Sequence, residues 1–117
     1  MFIIRDFMER TLNKVELRGH VGSDPKVTDL EGVTVIRFPL ATHEAYKGKD
    51  GLYKEETMWH NIAAWSSRGM LDFSKIRKGV FLEVIGKLRY YKWVSKSGED
   101  KYSCEIVALK MSMPEND

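Results

Sequence analysis

The stretch Val80–Trp93, VFLEVIGKLRYYKW, decides the class of fold. Leu82, Val84, Gly86 and Leu88 recur at every second position, which is the period of a strand with one buried face. Gly86 sits in mid-strand, where a glycine marks a sharp bend of the kind a barrel corner needs. The opposite face carries Lys87, Arg89, Tyr91 and Trp93, so rings and cations share the side away from the core.

The neighbouring segments read as companions to this strand. Ser95–Asp100 is a hairpin turn around Gly98, and Tyr102–Met111 is the last strand. On the other side, Ser66–Lys78 is expected to be a helix. Met70, Phe73 and Ile76 recur at helical spacing, Arg77 and Lys78 suit the negative end of the dipole, and Gly79 is a natural stop. Thr57–Trp65 reads as a strand with Met58, His60, Ile62 and Ala64 on one side and Trp59, Asn61, Ala63 and Trp65 on the other. His43–Glu56 is read as a loop rich in Lys and Gly. Val33–Thr42 is a strand with Ile36, Phe38 and Leu40 on one face, and its Pro39 indicates an edge or a bulge. In the first strand Val15, Leu17, Gly19 and Val21 alternate with Lys14, Glu16, Arg18 and His20, and Gly22–Pro25 forms a turn. An all-β chain of five strands, with one short helix between strands 3 and 4, has the order of an OB-fold barrel.

A chain of 117 residues is one domain with one core. Its 43% hydrophobic and 31% charged residues exclude wholesale disorder. The expected division is an N-terminal extension over 1–12, the OB-fold domain over 13–112 and a short tail over 113–117. In the extension, Phe2, Ile3, Phe7 and Met8 could pack at a subunit interface. Cys104 is the single cysteine, so no internal disulfide forms, and it reads as a small buried residue. No Cys/His cluster has metal-ligand spacing, and no cofactor is called for. The apolar runs are too short for a membrane span or a signal peptide, so the expected location is the cytoplasm.

The net charge of +2 says little about partners, because the distribution matters more than the sum. Gly86–Lys101 interleaves Lys87, Arg89, Lys92, Lys96 and Lys101 with Tyr90, Tyr91 and Trp93. Trp59 and Trp65 share a face opposite the apolar set. Tyr46 and Tyr53 lie beside Lys47, Lys49 and Lys54. A lone tryptophan on a strand is more often core than ligand platform, but three that all avoid the apolar face shift the balance. Rings and cations on a non-core face suit a flexible polyanion with unpaired bases. Every base has a π-face to stack, and lysine or arginine neutralises phosphate without reading sequence. His60, on the apolar face, reads as a satisfied core or interface histidine.

The chain also resembles a family. NKVELRGHVGSDPKV (Asn13–Val27), LATHE (Leu40–Glu44), KEETMWHNIAAW (Lys54–Trp65), RKGVFLEVIGKLRYYKW (Arg77–Trp93) and DKYSCEI (Asp100–Ile106) resemble, in unbroken order, segments of bacterial single-stranded DNA-binding proteins. The resemblance implies base-stacking aromatics at Tyr46, Trp59, Trp65 and Trp93 and basic groove residues at Arg89 and Lys92. Tyr91 and Asn61 stand where basic residues are common, which implies weaker phosphate contact and stronger stacking. It further implies a homo-oligomer, a tetramer or else a dimer, that coats and protects single-stranded DNA in replication, recombination and repair. The candidate stacking set is therefore Tyr46, Trp59, Trp65, Tyr91 and Trp93. The candidate phosphate set is Arg18, Lys47, Lys49, Lys54, Lys87, Arg89 and Lys92. The family's long tail with an acidic Pro-Phe tip is not seen in MPEND, so recruitment of partner proteins through such a tip is not expected.

Two other classes compete. A primosome-type adaptor is also a tailless OB-fold dimer that binds single-stranded DNA and partner proteins, and a dimer in solution would favour it over a tetramer. An OB-fold nuclease would have only Asp24, His43 and Glu44 to work with, and these form no recognisable acid/base or metal set.

Overall fold

The computed structural model describes residues 10–114. The sequence expectation for Phe2, Ile3, Phe7 and Met8, and most of the 1–12 extension, lies outside the described residues. Six strands are present: β1 (Val15–Val21), β2 (Lys26–Leu30), β3 (Val33–Lys47), β4 (Tyr53–Trp65), β5 (Phe81–Val94) and β6 (Asp100–Ser112). They follow the order β1-β5-β6-β4-β3-β2, and β1 also pairs with β3, which closes a barrel.

β2 was not anticipated. It continues the first strand along the same neighbour: Val21 faces Leu40, and the ladder resumes with Lys26 facing Arg37. Five steps on one side match three on the other, so Gly22–Pro25 bulges out. The bulge lies against Pro39, whose carbonyl accepts from the Gly22 N–H at 2.9 Å. Pro39 therefore turns its missing donor toward the one place where the ladder is already interrupted. The anticipated irregularity is real, but it is built into the adjoining strand. Together β1 and β2 form one bent first strand of a five-stranded barrel.

Inward residues of all the long strands make one core: Val21, Ile36, Phe38, Leu40, Ile62, Ala64, Leu82, Val84, Ile106, Ala108 and Met111, with Ile76 from the connection. Gly86 acts as expected at the corner. The β5–β6 register shifts at Ile85/Gly86, and a Cβ on Gly86 would lie 2.1 Å from the Val107 carbonyl oxygen. The extra residue is Leu109, left exposed. It reverses the alternation of β6, which is why Met111 follows Ala108 into the core.

The expected helix over Ser66–Lys78 is a single 3₁₀ turn, Phe73–Lys75. Gly69 adopts φ +87°, a conformation that ends any helix through it. The three-residue spacing of Met70, Phe73 and Ile76 belongs to an irregular plug over one barrel end, where Ile76 is buried and Met70, Leu71 and Phe73 pack against the core. Asp72 caps the turn by accepting from the backbone N–H and the hydroxyl of Ser74. Arg77 and Lys78 consequently have no helix end to complement. The plug is tied to the barrel by Asp24, which accepts from the Lys78 N–H at 3.0 Å, and by Gly79, whose N–H donates to the Val21 carbonyl at 2.7 Å. Asn13 acts as a strand partner for Leu88, donating to its carbonyl and accepting from its N–H.

The expected loop His43–Glu56 is mostly strand. β3 and β4 pair without interruption from Val35↔Trp65 to Lys47↔Tyr53, so only residues 48–52 turn. This makes a two-stranded ribbon running past the barrel, and the distal ends of β5 and β6 form a second. β4 and β6 pair only at Ile62↔Ile106 and Ala63↔Val107, in parallel, and then diverge.

Candidate nucleic-acid interface

Alternation along β3, β4, β6 and β5 brings one outer face together. β4 contributes Trp59, Asn61, Ala63 and Trp65; β6 contributes Ser103, Glu105 and Val107; β5 contributes Lys87, Arg89, Tyr91 and Trp93; β3 contributes Arg37. None of the three tryptophans joins the core. Trp59 is 62% exposed and Trp93 46% exposed, while Trp65 is partly buried. Ala41 and Ala63 lie on this outer face too, yet both are buried, because larger neighbours cover them.

Each ring has a defined support. Trp59 lies across Gly22, where an added Cβ would come within 2.2 Å of the ring. The Trp93 Nε1–H donates to the Ser103 hydroxyl at 2.8 Å, which fixes the ring's edge and leaves its surface open. Arg89 sits over Trp65, its guanidinium carbon 5.8 Å from the ring centroid, and over Tyr91 at 5.3 Å. Arg37 also sits over Trp65, at 5.9 Å. All three distances are within cation–π range.

Beneath these groups is Glu105, whose side chain is 4% exposed. One carboxylate oxygen, Oε1, lies 3.0 Å from Nη2 of Arg89, and the other, Oε2, lies 3.6 Å from Nε of Arg37. The pairing with Arg89 is ionic: Oε1 is buried and lacks a hydrogen bond of good geometry. Sequence reading missed Arg37 and Glu105. Their alternation phase, opposite to Ile36 and Ile106, was the available signal.

A cleft of about 210 Å³ opens where β4 and β6 part, lined by Trp59, His60, Asn61, Leu88, Cys104, Glu105 and Ile106. His60 is half-buried there and bonded to the Thr42 hydroxyl at 2.9 Å. Cys104, expected to be buried, is exposed. It faces Tyr90 across the ribbon, beyond the point where β5 and β6 leave the barrel.

Several candidates fall elsewhere. Tyr46 has the opposite alternation phase to Trp59 along an unbroken register, so it occupies the reverse face of the β3–β4 ribbon, beside Lys54. Lys92 is likewise on the reverse face of its ribbon and pairs with Asp100 at 3.2 Å. Lys54 reaches Asp50 at 4.0 Å, Lys47 ends β3 in the alternation phase of Trp59, and Lys49 lies in the ribbon turn. Arg18 is on β1, ion-paired with Glu83, one barrel edge away from the rings. Lys87 is exposed on the aromatic face itself. Asp24, His43 and Glu44 do not converge: Asp24 ties down the plug, and His43 bonds the Thr57 hydroxyl at 2.9 Å and lies 3.3 Å from Glu55. Among the described residues no His/Cys/Asp/Glu group could hold a metal ion, and no helix is long and apolar enough to cross a membrane.

Comparison with known proteins extends these observations. The model of the "Single-strand binding protein family" matches residues 12–114. A "Single-stranded DNA-binding protein 1" from Chlorobaculum tepidum is 39% identical over 108 residues, covering 91% of this chain and 67% of the relative. A "Single-stranded DNA-binding protein" from Xanthomonas axonopodis pv. citri is 38% identical, covering 91% and 59%. The chain thus spans about three-fifths to two-thirds of the length of these curated relatives. Among solved structures, the Plasmodium falciparum SSB complex with ssDNA superposes with a TM-score of 0.77 at 31% identity, covering 88% of this chain and 93% of that one. The wild-type single-stranded DNA binding protein from Thermus aquaticus gives 0.72 at 25% identity, covering 89% and 50%.

Proposed function

The chain belongs to the single-strand binding protein family, and on that premise we propose that it binds single-stranded DNA without sequence preference and does no chemistry on it. The observation that carries this reading is the outer face of β4, β5 and β6, where Trp59, Trp65, Tyr91 and Trp93 all lie outside the core, with Lys87 and Arg89 between them. Successive bases stack on the rings, each stacked base contributing about 1–3 kcal/mol, and this needs no particular sequence because every base offers a π-face. Cations add phosphate contacts that release counterions.

The reverse faces of the two ribbons extend the track. Tyr46 and Lys54 on one and Lys92 on the other, together with Lys47 on the aromatic side and Lys49 in the turn, take DNA that passes around the ribbon edges. Arg18, on a more distant edge beside Glu83, is the weakest member of the set. The domain over 13–112 carries this activity, and the working form is a homo-oligomer, a tetramer or else a dimer. Its role is to coat and protect single-stranded DNA in replication, recombination and repair, in the cytoplasm and with no cofactor.

Titration with oligothymidylate tests the reading. Binding should quench much of the tryptophan emission, and duplex DNA of equal length should not. Binding shown independently but without quenching would refute the stacking roles.

A further inference from the structure

The four residues Arg37, Trp65, Glu105 and Arg89 come from four different strands, β3, β4, β6 and β5, and meet on one patch of the outer face. Glu105 is the only buried charged or polar side chain among the described residues. A carboxylate there is electrostatically the wrong sign for a surface that receives phosphates. Its position under two guanidiniums gives it a different use.

We infer that Glu105 is a positioning residue that occupies Arg89 and Arg37 in place of phosphate, holding them over Trp65 as part of the stacking surface. The inference rests on the DNA-binding reading above and assigns the arginines a role within it. A guanidinium with a carboxylate oxygen at 3.0 Å has its charge partly balanced within the protein. Such a group releases few counterions when a nucleotide arrives. Its planar face, already over Trp65 and Tyr91, remains available to a base. Two arginines against one glutamate leave this patch a single net positive charge. Among the described residues of this patch, Lys87 is then the cation that carries no ion pair. The binding surface is in this way weighted toward stacking, and its affinity toward weaker dependence on salt.

Two measurements test this, one of them without DNA. In a Trp59→Phe/Trp93→Phe background Trp65 alone reports. Glu105→Gln keeps the shape of the side chain and an acceptor oxygen to hold the guanidiniums but removes the balancing charge, so quenching by iodide should rise about twofold while quenching by neutral acrylamide stays level. Unchanged iodide quenching in a folded Glu105→Gln protein overturns the inference, whatever DNA does. With oligothymidylate, Glu105→Gln in the otherwise native chain should steepen the log Kd against log salt slope by about 0.7, one added phosphate contact on a single strand. Arg89→Gln in the native chain should change that slope by well under 0.7, and this variant carries the test if Glu105→Gln does not fold. A full drop of about 0.7 for Arg89→Gln overturns the inference, because it would make Arg89 an ordinary phosphate ligand. If the native chain fails to bind oligothymidylate while the iodide response appears, the DNA-binding reading falls and the charge arrangement stands.

Discussion

Replacing Trp93 by alanine separates stacking from folding and from electrostatics. The ring is outside the core, on the distal part of β5, and 46% exposed. A tryptophan side chain presents up to roughly 250 Å², so about 100 Å² remains for a base to cover. At ~25 cal/mol per Å² this amounts to about 2.5 kcal/mol, within the ~1–3 kcal/mol range measured for stacked bases. Trp93→Ala should therefore weaken oligothymidylate binding by about 5- to 150-fold. The salt slope should stay nearly constant, since no charge is removed. The folded state loses the hydrogen bond to Ser103 and partial packing, so stability should fall by about 1 kcal/mol, against about 3–5 kcal/mol for a core tryptophan. Lys87→Ala, on the same face of the same strand, is the counterpart. It should lower the slope magnitude by about 0.7 with little change in stability. The assay is fluorescence titration at several salt concentrations, read from Trp59 and Trp65, beside a urea melt of each variant. If Trp93→Ala unfolds the protein, or if it binds like the parent, this face of β5 is not a stacking surface.

Glycine and capping positions supply further tests. Gly22→Ala pushes a methyl into the Trp59 ring, which is exposed and free to swing away. Stability should change by less than about 1 kcal/mol while the oligothymidylate Kd rises several-fold, and an unchanged Kd would remove Trp59 from the site. Gly86→Ala meets the backbone carbonyl of Val107, which has no side-chain freedom with which to yield. A loss of about 3 kcal/mol or more is expected in a denaturant melt. The Asp72 carboxyl is held below its ordinary value of 3.8, chiefly because the Ser74 backbone N–H donates to it, and then the Ser74 hydroxyl. A depressed folded-state value means stabilisation that is present above about pH 4 and lost as pH falls through the folded value. Ser74→Ala removes only the hydroxyl donor, so NMR titration should show the Asp72 value moving part of the way back toward 3.8.

What could be read from the sequence follows from where a face is buried. β1, β5 and the proximal part of β3 each have one side on the core, and their alternation announces it. The same alternation sets Trp59, Trp65 and Trp93 off the core. The ribbons were illegible for the converse reason: residues 43–47 and 53–57 are exposed on both faces, so no period of two is imposed on them. β2 is largely exposed as well. In the segment 66–78, three apolar residues at three-residue spacing fit a helix as well as they fit a plug, and only the left-handed φ of Gly69 decides between them. In the Arg37–Glu105–Arg89 arrangement, Arg89 and Glu105 face each other across the β5–β6 hairpin, but Arg37 comes from β3, far away in the chain, and no local pattern reports that meeting.

The two ribbons also divide the molecule by how readily its parts open. Barrel strands are anchored by core side chains, so their amides exchange only when the whole domain unfolds. The ends of β3–β4 and β5–β6 have cross-strand pairing but no core beneath them, and protection from hydrogen exchange should decline toward the turns at 48–52 and 95–99. Trp65 and Arg89 thus stand on the slow-opening part and Trp93 on the fast-opening part. A bound strand would meet a fixed seat at the barrel and a pliable rail beyond it.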